Sequence, residues 1–189
     1  MKTYIASLES KSPYSQGRHY DKEDVPALPK EGHDAYEQRT WRNRMHVRDG
    51  VVFIPPTAIK NCLAEAAKFL SVQIPGKGKA TYTKHFEAGV MVVDEIPLGY
   101  LAADAVGERL FVPSSGRRGD GKRVQRIFPM IPKWKADVTI HVLDETITCG
   151  VLEQHLREAG TLIGIGRFRP RNNGYYGRFT VTSLTEAAS

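Results

Sequence analysis

The 189-residue sequence predicts an α+β domain on the ferredoxin-like, RRM-type plan: an antiparallel sheet built from a split βαβ unit, with long loop insertions. Three observations lead there. One segment, Ile59 to Leu70, repeats apolar residues at helical spacing along a single stripe, and a second, Val151 to Ala159, is helix-like. Strand-like segments bracket them, in the order strand, helix, strand, strand, helix, strand. The intervening segments are long, polar and rich in glycine, proline, lysine and arginine.

Lys2 to Leu8 alternates, with Tyr4, Ala6 and Leu8 on one face and Ile5 on the other, and reads as the first strand. Residues 9–33 are polar and broken by Pro13, Pro26 and Pro29, which predicts a loop or arm. RTWRNRMHV-RDG-VVFIPP then reads as a hairpin turning at Arg48-Asp49-Gly50. A helix over Asp34 to His46, capped by Asp34 and Glu37, competes with that hairpin, and both stay open. Residues 9–50 thus form an N-terminal insertion. Pro55-Pro56 stops the strand, Thr57 is a good N-cap, and Ile59, Cys62, Leu63, Ala66, Ala67 and Leu70 line one face of the helix that follows.

Gly89 to Val93 is an apolar strand, and Leu110 to Val112 is a shorter one inside a basic insertion over residues 75–135. Lys135 to Leu143 alternates through Ala136, Val138, Ile140 and Val142. A helix over Val151 to Ala159, a glycine-rich loop and a strand from Arg178 to Leu184 complete one domain over residues 1–189. With both helices on one sheet face, the other face is left open, where many RNA binders of this topology work.

Composition narrows the function. Hydrophobic residues at 41% are enough for a core, and the net charge of +6 favours polyanionic partners. Cys62 and Cys149 stand alone, without CxxC spacing, which excludes a zinc ribbon and a disulfide scaffold and fits a reducing compartment. The start of the chain has no apolar h-region and no run approaches a membrane span, so the expected setting is cytoplasmic with no membrane partner. HExxH, a Walker lysine frame and paired carboxylates are missing, and Pro170 spoils GIGRFR as a dinucleotide fingerprint. The expectation is no cofactor, no metal site and no catalytic residue.

The positive charge collects in three loops. The first holds Lys77, Lys79, Lys84 and His85, with Tyr82 and Phe86 interleaved. The second holds Arg117, Arg118, Lys122, Arg123 and Arg126. The third runs from Gly160 to Arg178, where five glycines mingle with Arg167, Arg169, Arg171 and Arg178 and with Phe168, Tyr175, Tyr176 and Phe179. Glycines admit close backbone approach, arginines neutralise phosphates, and aromatic faces stack on bases, a combination suited to single-stranded nucleic acid. An ordinary hairpin, turning at Asn173-Gly174, would explain the glycines but not the arginine density.

VVFIPPTAIKNCLAEAAKFL together with AGTLIGIGRFRPRNNGYYGRF resembles the RAMP superfamily of CRISPR effector backbone subunits. The matched elements are a strand ending in Ile54-Pro55, then Thr57, Ile59 and Lys60 opening a helix, and a glycine-rich loop, Gly164 to Gly177, between the last helix and the last strand. The resemblance covers about half the chain. It implies an RRM-type palm that grips guide RNA in antiviral defence, self-associates or joins other effector subunits, and uses a thumb-like hairpin. It also implies that Lys60 and the glycine-rich loop touch the RNA backbone. The chain is shorter than most such subunits, and neither the catalytic aspartate nor the processing histidine of relatives aligns, although Asp21 or Asp34 stands in the region of the former. A stand-alone relative, phage- or plasmid-encoded, is therefore within the reading.

The resulting expectation is a non-enzymatic single-strand binder, RNA being preferred to DNA on the resemblance alone. Lys60, Lys77, Lys79, Arg117, Arg118, Arg167, Arg169 and Arg171 would hold phosphates, with Lys84, His85, Lys122, Arg123 and Arg178 beside them. Tyr82, Phe168, Tyr175 and Tyr176 would stack on bases. Two rivals remain: a metal-independent endoribonuclease using His85 or His19, and an interaction module that mimics or inhibits a CRISPR effector complex.

Overall fold

The computed structural model describes residues 1–187 other than 22, 116–118 and 120. The chain opens with β1 (Lys2–Ser10) and β2 (Tyr14–Ser15), then α1 (His33–Thr40) with a 3-10 turn over Trp41–Arg44. Next come β3 (Val47–Arg48), β4 (Val51–Ile54), α2 (Pro56–Leu70), α3 (Thr83–Gly89), β5 (Val90–Met91) and β6 (Ile96–Leu101). The last part holds β7 (Val106–Pro113), β8 (Arg123–Ile131), β9 (Lys135–Val142), α4 (Cys149–Glu158) and β10 (Phe179–Glu186).

The main sheet has the order β10-β1-β9-β5, with every neighbour antiparallel. Its elements run β1-α2-β5 and β9-α4-β10, with β9 inserted between β1 and β5, so the fold is the α+β split βαβ that the sequence predicts. Alternation decides which face is inside. Tyr4, Ala6, Leu8, Val138, Ile140, Val142, Phe179 and Val181 are buried under the helices. Each of the Val, Leu, Ile and Phe side chains among them contributes about 1.5–3 kcal/mol on burial. From α2 come Ile59, Cys62, Leu63, Ala66 and Ala67, and from α4 Leu152 and Leu156. Thr148 caps α4 by accepting from Val151 N–H at 3.4 Å, and Cys62 Sγ donates to the Ala159 carbonyl at 3.5 Å.

The open face of the sheet is mostly polar along its central strands. Its central rows pair Thr3 with His141 at 3.1 Å, Ser7 with Asp137 at 2.6 Å, and Glu9 with Lys135 at 3.4 Å. Among the described residues these rows carry no Phe, Tyr or Trp side chain, and the His141 imidazole is the one aromatic ring in them.

Several local readings are corrected. Both competing patterns before α2 occur in part: a helix over His33–Thr40 and a hairpin of β3 with β4. No capping box forms, because Gly32 is the N-cap and Glu37 turns inward. α2 begins at Pro56 with Pro55 as its N-cap, rather than at Thr57, since proline at the first helical position loses no hydrogen bond. The first basic loop becomes α3 beyond residue 82, because Tyr82 and Phe86 are buried against the palm. β6 runs through Pro97 and Gly99, with Gly99 at φ +61° and a register shift against β4 absorbing the irregularity.

The second basic loop is a hairpin. β7 and β8 pair from Val106↔Met130 to Pro113↔Arg123, and just beyond them the Ser114 N–H donates to the Lys122 carbonyl at 2.8 Å. α1 covers the free edge of β8 through one carboxylate. Glu37 accepts from Arg44 at 2.9 Å, Arg126 at 2.7 Å and the Ile127 N–H at 3.2 Å. Burial alone would raise the Glu37 pKa, but the hydrogen bonds from Arg44 and Arg126 outweigh it and hold it below the ordinary value. Trp41 fits over Gly107, where a Cβ would stand 3.2 Å from its ring. The hairpin is thus fixed at its base.

Candidate nucleic-acid interface

The glycine-rich loop leaves a π-turn over Ala159–Ile163 at Gly164, φ +71°. It closes on itself through Ile165 N–H to the Gly177 carbonyl at 3.0 Å. Gly177, at φ +74°, stands so close to the Ile165 carbonyl that a Cβ has no room. The loop is stitched to the segment before β2 and to β2 itself, with Arg167 N–H on the Ser15 carbonyl at 2.9 Å and Gly177 N–H on Pro13 at 2.8 Å. Gln16, buried beside it, bridges the Phe53 carbonyl and the His46 N–H at 2.8 and 2.7 Å. Residues read from sequence as a free arm therefore anchor the loop.

Three of the loop's four arginines have polar partners, and Arg167 lies against aromatic rings with its Nη1 buried and without a hydrogen-bond partner among the described residues. Arg167 lies 3.1 Å from the Phe128 ring centroid and 4.8 Å from that of Phe168. Burial lowers its pKa to about 10, with Arg44 pushing the same way and Glu108 opposing. Arg169 and Arg171 share Glu65, at 2.9 and 3.2 Å. Arg178 donates to the carbonyls of Thr161 and Tyr175 at 3.3 and 3.1 Å. Tyr176 donates to Glu108 at 2.5 Å, joining the loop to the hairpin, and burial raises its pKa to about 12. The arginine density that suggested phosphates thus first serves the fold, leaving one net positive charge on the Glu65, Arg169 and Arg171 cluster.

The other predicted residues divide. Lys77, Lys79, Lys84, Lys122 and Arg123 are exposed, whereas Lys60 donates to the Glu87 carbonyl at 2.8 Å. Arg117 and Arg118 lie outside the described residues. Tyr82 is buried, its ring 5.7 Å from His155, and has no open face for a base. His85 bonds Asp144 through Nδ1 at 2.6 Å, an interaction that holds the Asp144 pKa below the ordinary value. Tyr175 and Phe168 stay open, at 61% and 39% exposed. Sequence reasoning missed two further aromatics, Phe111 at 69% and Phe69 at 54%. Phe69 was legible, because it falls off the apolar stripe of α2. Among the described residues no three His, Cys, Asp or Glu side chains converge to hold a metal, and no helix is long and apolar enough to cross a membrane.

No family model and no curated protein matches the sequence. Solved structures do. A chain in the cryo-EM structure of the Type III-B Cmr-beta bound to cognate target RNA matches 98% of this chain at 12% identity and a TM-score of 0.52. The likeness is one of fold, the split βαβ described above. The chain spans 60% of that protein's length. Cmr6 from Pyrococcus furiosus is also similar, at 15% identity and a TM-score of 0.48 over 96% of this chain and 98% of Cmr6. A chain of a CRISPR RNA-guided surveillance complex follows at 10% identity and 0.40, over 96% and 67% of the two chains.

Proposed function

We propose that this chain is an RNA-binding subunit of the RAMP type, holding single-stranded RNA and assembling along it with further copies or with other effector subunits. The observation that carries the reading is the meeting of the α2 motif and the glycine-rich loop at Glu65, with Phe168 and Tyr175 held open on that loop. The exposed Lys77, Lys79, Lys84, Lys122 and Arg123 and the net charge of +6 supply long-range attraction to phosphate. The similar Cmr-beta chain comes from an assembly bound to cognate target RNA, which favours RNA over DNA.

The test is fluorescence polarisation with labelled RNA and DNA single strands from about 50 to about 300 mM salt. Binding should weaken steeply with salt, and Lys77→Glu with Lys79→Glu and Lys84→Glu should weaken it evenly across sequences. Each lost phosphate contact lowers the salt slope by about 0.7. Failure to bind either strand at the lowest salt refutes the proposal, and a protein partner retained at high salt would favour the interaction module. One observation supports RNA cleavage as the alternative, the His85 ring oriented by Asp144. It requires cleavage in EDTA that His85→Ala abolishes.

A further inference from the structure

A cleft of about 550 Å3 opens where the two motifs behind the RAMP resemblance meet. α2 lines it with Ala64, Glu65, Lys68 and Phe69, the glycine-rich loop with Arg171, and the end of α3 with Glu87. Phe69 is 54% exposed, although the same helix buries five other side chains in a continuous stripe. Leaving a phenyl ring this open forgoes part of the stabilisation that full burial contributes. The ring is also not bare. The Arg171 guanidinium stands 5.6 Å from its centroid, tethered by Glu65 at 3.2 Å. A tethered planar cation loses little further freedom when a ligand arrives.

The remaining walls add polarity of a particular kind. Lys68 is exposed at the rim, and Lys60 donates to the Glu87 carbonyl. An open aromatic face, cations beside it and a carboxylate in the same lining match the parts of a nucleotide. The base stacks, the phosphate takes the cations, and an exocyclic amino group donates to the carboxylate. A purely apolar partner would leave Glu87 and Lys68 without counterparts, and a bare phosphate would not use the ring.

We propose that this cleft takes one unpaired nucleobase of the bound strand, stacked on Phe69, with an adjoining phosphate held by Lys68 and Arg171. Glu87 then prefers an amino-bearing base to uracil. The site rests on the RNA-binding reading above and adds to it a base-specific contact on the helix side of the palm.

The experiment is a uridine-rich RNA carrying one 2-aminopurine, walked through successive positions and titrated with the full chain. Stacking should quench the probe in one register. Phe69→Ala should abolish that quench and weaken binding about 5- to 150-fold, the loss of one stacked base, and Phe69→Trp should restore both. The ring is solvent-facing, so the fold should tolerate both changes, as circular dichroism would verify. Unchanged quenching in Phe69→Ala at every position, with RNA still bound, overturns the cleft and leaves RNA binding standing. Absence of RNA binding by the parent chain at low salt overturns the reading beneath it.

Discussion

Replacing Glu37 with Gln tests how the β7–β8 hairpin is mounted. The carboxylate is 1% exposed and serves three donors: Arg44 at 2.9 Å, Arg126 at 2.7 Å and the Ile127 N–H at 3.2 Å. Gln keeps the shape but not the charge. Its oxygen can face the arginines or Ile127, and in either case its NH2 group meets another donor. The Arg44 side chain, 10% exposed, would remain buried without a counter-charge. Removing one partner of a buried pair costs about 3–5 kcal/mol. At about 2–4 °C per kcal/mol for a chain of this size, the thermal midpoint should fall by about 6–20 °C.

Urea unfolding followed by tryptophan fluorescence reads the change, since Trp41 lies at this joint and Trp134 is buried in the core. The Glu37 pKa is lowered from 4.5, so its stabilisation is complete above that value and is lost as pH falls through the lower folded one. The variant should therefore also lose part of the parent's acid sensitivity. A variant within about 1 kcal/mol of the parent at neutral pH would refute the account, because an exposed pair contributes no more than that.

Two further outcomes are expected. Gly177→Ala should lower the urea midpoint and raise protease sensitivity within residues 164–178, since the site has φ +74° and no space for a Cβ beside Ile165; an unchanged midpoint would contradict that geometry. Stability should also fall below about pH 6.5. Burial lowers the His155 pKa from 6.5, its Nδ1 already donates to the Val151 carbonyl, and its Nε2 is buried without a partner among the described residues. The neutral ring is thus favoured in the fold, the unfolded chain takes up the proton first, and the loss is at most about 1.4 kcal/mol per pH unit. His46, lowered in the same way, adds to the slope, and His155→Phe should flatten it without removing the contribution of His46.

Much of the palm was legible because its signal is local. Alternation in β1 and β9 and the stripe of α2 depend only on neighbours a few residues apart. The shorter pieces were not. β6 contains Pro97 and Gly99 and exists because β4 pairs with it, while β8 begins inside a run that by composition reads as solvated loop. α3 forms where Tyr82 and Phe86 find the core, a contact that composition does not encode.

The candidate site divides along the same line. Sequence located the α2 motif, the glycine-rich loop bounded by Gly164 and Gly177, and the exposed lysines. It did not reveal which charges are free. Arg126 and Glu37 are 89 residues apart, and Tyr176 and Glu108 are 68. A formal charge looks the same whether it faces water or a buried carboxylate. By itself the sequence determined the order of the palm elements and the excess of positive charge, both sums over short-range pattern and composition. Only the tertiary structure decided which arginines brace the loop, which aromatics stay open and where the two motifs form a cleft, because those depend on distances through space that folding alone brings within a few ångströms.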